Sequence, residues 1–140
     1  LNYLTKWKSQ QVPGSPVVDY KGSGAEAGLY DYLPFTTFSY RNDRLSVGLN
    51  WRYLPAIEHS SLPDNPTSTQ QGAGSYSYFS LNGGWRFNET MRLRAGIDNL
   101  FDQEPEIYGR TDENNAGITT LTGRYDPLGR RGFVALEVNF

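Results

Sequence analysis

Arg44-Leu45-Ser46-Val47-Gly48-Leu49-Asn50-Trp51-Arg52-Tyr53 decides how this chain is read. Leu45, Val47, Leu49, Trp51 and Tyr53 fall on one side, and Arg44, Ser46, Gly48, Asn50 and Arg52 on the other. A period of two kept without exception marks an extended strand with one apolar and one polar face. The pattern recurs. In Tyr78–Phe87, Phe79, Leu81, Trp85 and Phe87 oppose Tyr78, Ser80, Asn82 and Arg86. In Met91–Asp98 the polar side carries Arg92, Arg94 and Asp98. In Phe133–Phe140, Val134, Leu136, Val138 and Phe140 oppose Glu137 and Asn139. Two weaker alternations precede these, Leu1–Lys8 and Phe35–Arg41, and no segment keeps a helical period. We therefore expect an all-β chain with strands at about residues 1–8, 35–41, 44–53, 76–87, 91–100 and 131–140.

The connections carry a second signal. Asn42-Asp43 and Asn88-Glu89-Thr90 are tight-turn compositions. The other three, about 9–34, 54–75 and 101–130, are rich in Pro and Gly. Each exceeds the usual loop ceiling of about 12–15 residues. Long and short connections alternate, so the short turns fall at one end of the strands and the long loops at the other.

Composition narrows the class. A length of 140 residues suits one domain. Aromatics reach 14%, yet the chain is hydrophilic on average, so it is neither a disordered tail nor a coiled coil. It has no run of about 18 apolar residues that could form a transmembrane helix. Without Cys there are no disulfides or thiolate metal sites, and the lone His59 forms no zinc cluster or Ser/His triad. A net charge of -2 speaks against nucleic acid as a partner. Acidic pairs occur only in the connections, so neither an enzyme nor a cofactor is expected.

Half-polar strands suit a soluble two-layer sheet, which would bury Leu45, Val47 and Leu49. Long strands, disproportionate loops and arginines in the polar stripes fit a transmembrane β-barrel wall better. Strands of about 9–11 residues span the hydrocarbon, apolar side outward and polar side toward the lumen. Trp7, Trp51, Tyr53, Trp85, Phe87 and Phe140 sit at strand ends, where amphipathic rings favour the headgroup level. Six strands cannot close a barrel, and hydrocarbon does not tolerate open edges. We expect an antiparallel transmembrane β-barrel segment of about six strands, the last part of a larger barrel, with short periplasmic turns and long extracellular loops. The competing class is a soluble or surface carbohydrate-binding β-domain. A third is a small pore built by association of such pieces.

Three stretches carry a family likeness. They are Arg92-Leu93-Arg94-Ala95-Gly96-Ile97-Asp98-Asn99-Leu100-Phe101-Asp102, Tyr125-Asp126-Pro127-Leu128-Gly129-Arg130-Arg131, and the alternating tail ending in Phe140. Together they resemble the C-terminal end of the TonB-dependent outer-membrane receptors, and Leu45–Tyr53 is similar to a strand of that family ending in Trp-Arg-Tyr. The likeness is strong over the closing third of the chain and loose at its start. It implies a barrel of about 22 strands in the bacterial cell outer membrane, of which these would be the last. Such receptors import a scarce ligand, for example a siderophore–iron complex, cobalamin or an oligosaccharide, driven by the proton gradient through TonB, ExbB and ExbD. The family's plug and TonB box lie N-terminal to the barrel, outside these residues. This piece would supply wall, loops and closing strand, and the rest of the receptor would couple to TonB.

Candidate residues follow. Val134, Leu136, Val138 and Phe140 resemble the signal read by the barrel-assembly machinery, with an ordinary strand end facing outer-membrane lipid as the alternative. Arg52, Arg86, Arg92, Arg94, Asp98 and Glu137 are expected to face the lumen and to pair with the plug or one another, since buried charges need partners. Simple solvation is the alternative. Asp102, Glu104, Glu106, Asp112 and Glu113 lack the EF-hand order, so no metal is expected. Tyr108 and Tyr125 would stack on a sugar or siderophore, with loop packing as the competitor. Asn99 and Asp102 are expected to satisfy backbone groups where a strand stops, leaving Phe101 at the outer interface.

Overall fold

The computed structural model describes residues 2–10, 12–24, 30–69, 72–106, 108 and 124–140. Among these residues there is no helix. Five strands form one sheet in sequence order: β5 (Phe35–Arg41), β6 (Leu45–Leu54), β7 (Tyr76–Arg86), β8 (Met91–Asp98) and β9 (Arg131–Val138). Two short antiparallel ladders lie outside it, β1 (Asn2–Tyr3) with β4 (Tyr32–Leu33) and β2 (Lys8–Ser9) with β3 (Val18–Asp19). By its contacts the chain divides into two compact units. A sheet unit comprises Phe35–Arg52, Ser77–Glu104 and Leu128–Phe140; a loop unit comprises Leu1–Pro34, Tyr53–Tyr76 and Pro105–Pro127.

Register fixes which residues share a face of the sheet. Phe38 opposes Leu49, Leu81 opposes Ile97, and Leu93 opposes Leu136, all from the apolar stripes. Ser39 opposes Gly48, Asn82 opposes Gly96, and Arg92 opposes both Arg86 and Glu137, all from the polar stripes. Between β6 and β7 the same facing holds. Trp51 Nε1 donates to Ser77 Oγ at 3.1 Å on the apolar side, and Arg86 N–H donates to Arg44 O at 2.8 Å. These contacts run in opposite senses along the two strands, so this pair too is antiparallel. A one-residue slip anywhere would invert every side chain.

Both tight turns use one device. Arg44 N–H and Leu45 N–H donate to Asn42 Oδ1 at 3.0 and 2.7 Å. Thr90 N–H and Met91 N–H donate to Asn88 Oδ1 at 3.0 and 2.8 Å. A short carboxamide here mimics a backbone acceptor and closes the turn.

One expected strand is corrected. Of the strand expected at 1–8, the described residues 2–8 do not add a sixth strand to the sheet. Leu4 N–H donates to Asp31 O, Trp7 N–H to Asp19 Oδ1, and Tyr20 N–H to Trp7 O. The backbone groups that a wall strand would offer are taken by the chain's own next turns. Lys6 and Lys8 can thus stay in water.

The described residues of the loop unit have their own core. Tyr30, Leu54, Ile57, Ala73, Tyr76, Tyr108 and Tyr125 are buried, with Ser23 and His59 among them. Ile57 and Ala73 exchange both backbone hydrogen bonds at 2.9 Å, and Glu58 O accepts Gly24 N–H at 2.7 Å. Tyr76 and Tyr125 meet edge to face with centroids 5.3 Å apart.

Candidate functional site

The sheet offers two surfaces of opposite chemistry. The apolar one is open: Phe38 is 60% exposed, Leu81 37%, Leu136 57% and Val134 75%. Among the described residues of the sheet unit only Gly48, Tyr78, Gly96 and Asn99 are buried, so this face covers no hydrophobic core. Leu49, Leu81, Leu93 and Leu136, which a soluble sandwich would bring together in a dry interior, lie spread across one open face. A contiguous apolar surface of this extent calls for an apolar medium. At its loop end Trp51 stacks on Phe79 (centroids 6.4 Å) and Phe79 meets Phe101 edge-on at 5.4 Å. At the other end Trp85, Phe87 and Phe140 are exposed. Rings at both ends, with aliphatic residues between, are the arrangement of aromatic girdles.

The polar face holds the expected lumen charges. The Arg52 guanidinium lies over the Tyr78 ring, 4.7 Å from its centroid. Arg94 pairs with Glu137 at 3.2 Å, and Asp98 opposes Arg131 in register. Arg86 donates to the Asp43 carbonyl and stands directly across the ladder from Arg92. Sequence inspection did not group Arg41 and Arg44 with these, although the period of two places both on the polar side. The Phe133 ring also turns to this face. It lies across Gly96, where an added Cβ would come within 2.5 Å of it, so a larger residue there would push the ring aside.

Two of the three stretches that carry the family likeness are joined physically. Asn99 and Asp102 take positive φ values of 50° and 53°. Asn99 exchanges hydrogen bonds with the Gln103 backbone, both 2.9 Å, which stops the strand. Asp102 Oδ1 then accepts Arg130 N–H at 2.7 Å, with the Arg130 guanidinium 3.7 Å from the other oxygen. The acid of Asn-Leu-Phe-Asp thus clips the Pro-Leu-Gly-Arg segment and closes the base of the longest loop.

Tyr108 and Tyr125 are placed in packing rather than in a ligand-facing position. Tyr108 is fully buried and stacks on His59 with centroids 4.9 Å apart. Its hydroxyl accepts Ser60 N–H and donates to Glu58 O at 3.2 Å. Burial pushes its phenol above the usual tyrosine range, against the opposing effect of the Ser60 contacts. Loop packing, the competing expectation, describes both rings as they stand. No sequence signal separates a buried loop tyrosine from an exposed one. Of the acidic loop residues, Asp112 and Glu113 lie outside the described residues, and among the described ones no three His, Asp or Glu side chains gather to hold a metal ion.

No family model matches the chain. The ferric enterobactin receptor PirA of Pseudomonas aeruginosa is 26% identical over 83 residues, which is 59% of this chain and 10% of that protein. Among solved structures, a point mutant of the ferric enterobactin receptor PfeA of Pseudomonas aeruginosa superposes with a TM-score of 0.57 at 20% identity. That match covers 89% of this chain and 19% of the other. The chain therefore spans a small part of either relative. In sequence and in fold it is similar to the C-terminal end of the β-barrel of TonB-dependent outer-membrane receptors, as its closing residues led us to expect.

Proposed function

We propose that these strands and loops form part of an outer-membrane receptor that takes up a ferric siderophore by TonB-dependent transport. The observation that carries this is the five-stranded sheet with one open apolar face and one charged face. Lipid wets the first, and the second lines a lumen that a plug and the earlier strands complete. The tight turns face the periplasm and the long connections face the outside, where they help cover the ligand. Of siderophore–iron, cobalamin and oligosaccharide, the names of both relatives favour the first. On β9, Val134, Leu136, Val138 and Phe140, all exposed, serve as the signal for the barrel-assembly machinery.

The test uses cells in which the full-length protein carrying these residues is the sole candidate receptor. They should accumulate radiolabelled iron from ferric enterobactin, and collapse of the proton gradient should abolish uptake. Uptake of cobalamin or an oligosaccharide instead would replace the substrate. Failure of all three, with the protein assembled in the outer membrane, would contradict the transport role.

A further inference from the structure

We infer that the polar face carries, at its tight-turn end, a docking groove for an acidic peptide segment; this rests on the lumen facing proposed above. The groove has a volume of about 300 Å³ and is lined by Arg41, Arg44, Arg86 and Arg92, with Asp43 as its single carboxylate. Gly84 and Ser46 also line it, and a Cβ added at Gly84 would come within 2.9 Å of Ser46 Oγ.

Among the described lining residues four arginines face one carboxylate. Arg86 and Arg92 oppose each other directly on the β7–β8 ladder, a pairing that destabilises a sheet when nothing sits between the charges. Glu137 opposes Arg92 from the other side, but its carboxylate binds Arg94. Among the described residues no carboxylate lies within 4.0 Å of Arg41, Arg44, Arg86 or Arg92. Asp43 serves Arg86 through its backbone carbonyl. Four guanidiniums presented as rigid forks suit carboxylates taken two donors at a time.

The spacing selects the class of anion. Arg41 ends β5 and Arg92 begins β8, three strand intervals away, or about 14 Å at the usual separation of about 4.8 Å. One small anion cannot engage both ends of such a row. An extended peptide covers it in about four residues. The occupant is therefore a short extended segment with at least two Asp or Glu side chains, reaching the lumen from its periplasmic mouth.

The experiment places a photo-cross-linking amino acid at Ser39, exposed on the same face two residues from Arg41, in the full-length protein in cells. Mass spectrometry of the cross-linked peptide should identify a segment with at least two acidic residues within five. Arg41→Glu with Arg92→Glu should reduce the yield at least tenfold in barrels that remain heat-modifiable on gels. Arg92→Gln is the second, milder variant. It should lower the yield several-fold and lower the urea midpoint, because a favourable contact is lost. A raised midpoint would mean that removing Arg92 only relieved repulsion in an empty groove, and would overturn the proposal. So would no cross-link, a partner without acidic residues, or a yield indifferent to charge reversal, each leaving the lumen facing intact. Cross-links to lipid would instead defeat the facing itself, and the groove with it.

Discussion

Leu49→Arg puts a charge on the apolar face near the middle of its strand. β6 runs Leu45–Leu54, so Leu49 is four residues from one end and five from the other. At about 3.4 Å per residue and a tilt near 45°, these become heights of about 10 and 12 Å within an apolar band of about 25 Å. Arginine at that depth costs about 2–4 kcal/mol, or about 30- to 1000-fold in the folding equilibrium. Ser39→Arg places the same side chain in the neighbouring strand, on the opposite face and already exposed, where it meets water and should cost under about 1 kcal/mol. The assay is urea unfolding of the intact barrel in lipid vesicles, read by tryptophan fluorescence and by heat-modifiable mobility on gels. Equal destabilisation by the two variants, or the larger loss with Ser39→Arg, would refute the assignment of faces.

Other outcomes follow from particular contacts. Asp102→Ala removes the acceptor of Arg130 N–H and should cost about 1–2 kcal/mol locally, seen as faster protease nicking between residues 103 and 129, whereas an unchanged rate would mean that the clip does not hold the loop base. Gly24→Ala would set a Cβ 1.9 Å from the Tyr108 hydroxyl and should destabilise the loop unit by about 1–3 kcal/mol or more; a neutral effect in the same protease assay would contradict the packing. Tyr108 binds its proton more tightly folded than unfolded, so its contribution is full below the ordinary value of 10.0 and is lost as pH rises above it. Thermal unfolding of the loop unit at pH 9 and pH 11 should therefore show a larger loss in the native sequence than in Tyr108→Phe, and equal losses would exclude the effect. Deleting Phe140 should lower the amount of assembled full-length protein in the outer membrane, and unchanged assembly would count against its signal role.

What was legible in the sequence was what a backbone period and a turn composition can encode. Leu45–Tyr53 and Met91–Asp98 alternate because a sheet between two unlike media needs one side chain type on each face. Asn42 and Asn88 announce turns because their side chains close them. Leu1–Lys8 alternates as well, but strand pairing depends on partners that the period cannot name, and Asp31, Asp19 and Tyr20 took its backbone groups instead. The loop core was illegible for a related reason. Tyr108 is held by Gly24, Glu58 and Ser60, residues remote in sequence and lying in loops that have no period at all. The arginine groove lay between these cases. Each arginine could be assigned a face, whereas the opposition of Arg86 and Arg92 required the register.

The medium that touches each side of β8 decides between a membrane wall and a sheet covered by a second protein layer. Single cysteines at Arg92, Leu93, Arg94, Ala95 and Ile97 of the full-length protein in membranes, probed with an aqueous thiol reagent and with fluorophores quenched by a lipid-borne agent, measure this directly. We predict strict alternation: Leu93, Ala95 and Ile97 are quenched from lipid, and Arg92 and Arg94 react from water. Protection of Leu93, Ala95 and Ile97 from both agents would place a second protein layer against that face and contradict the membrane wall.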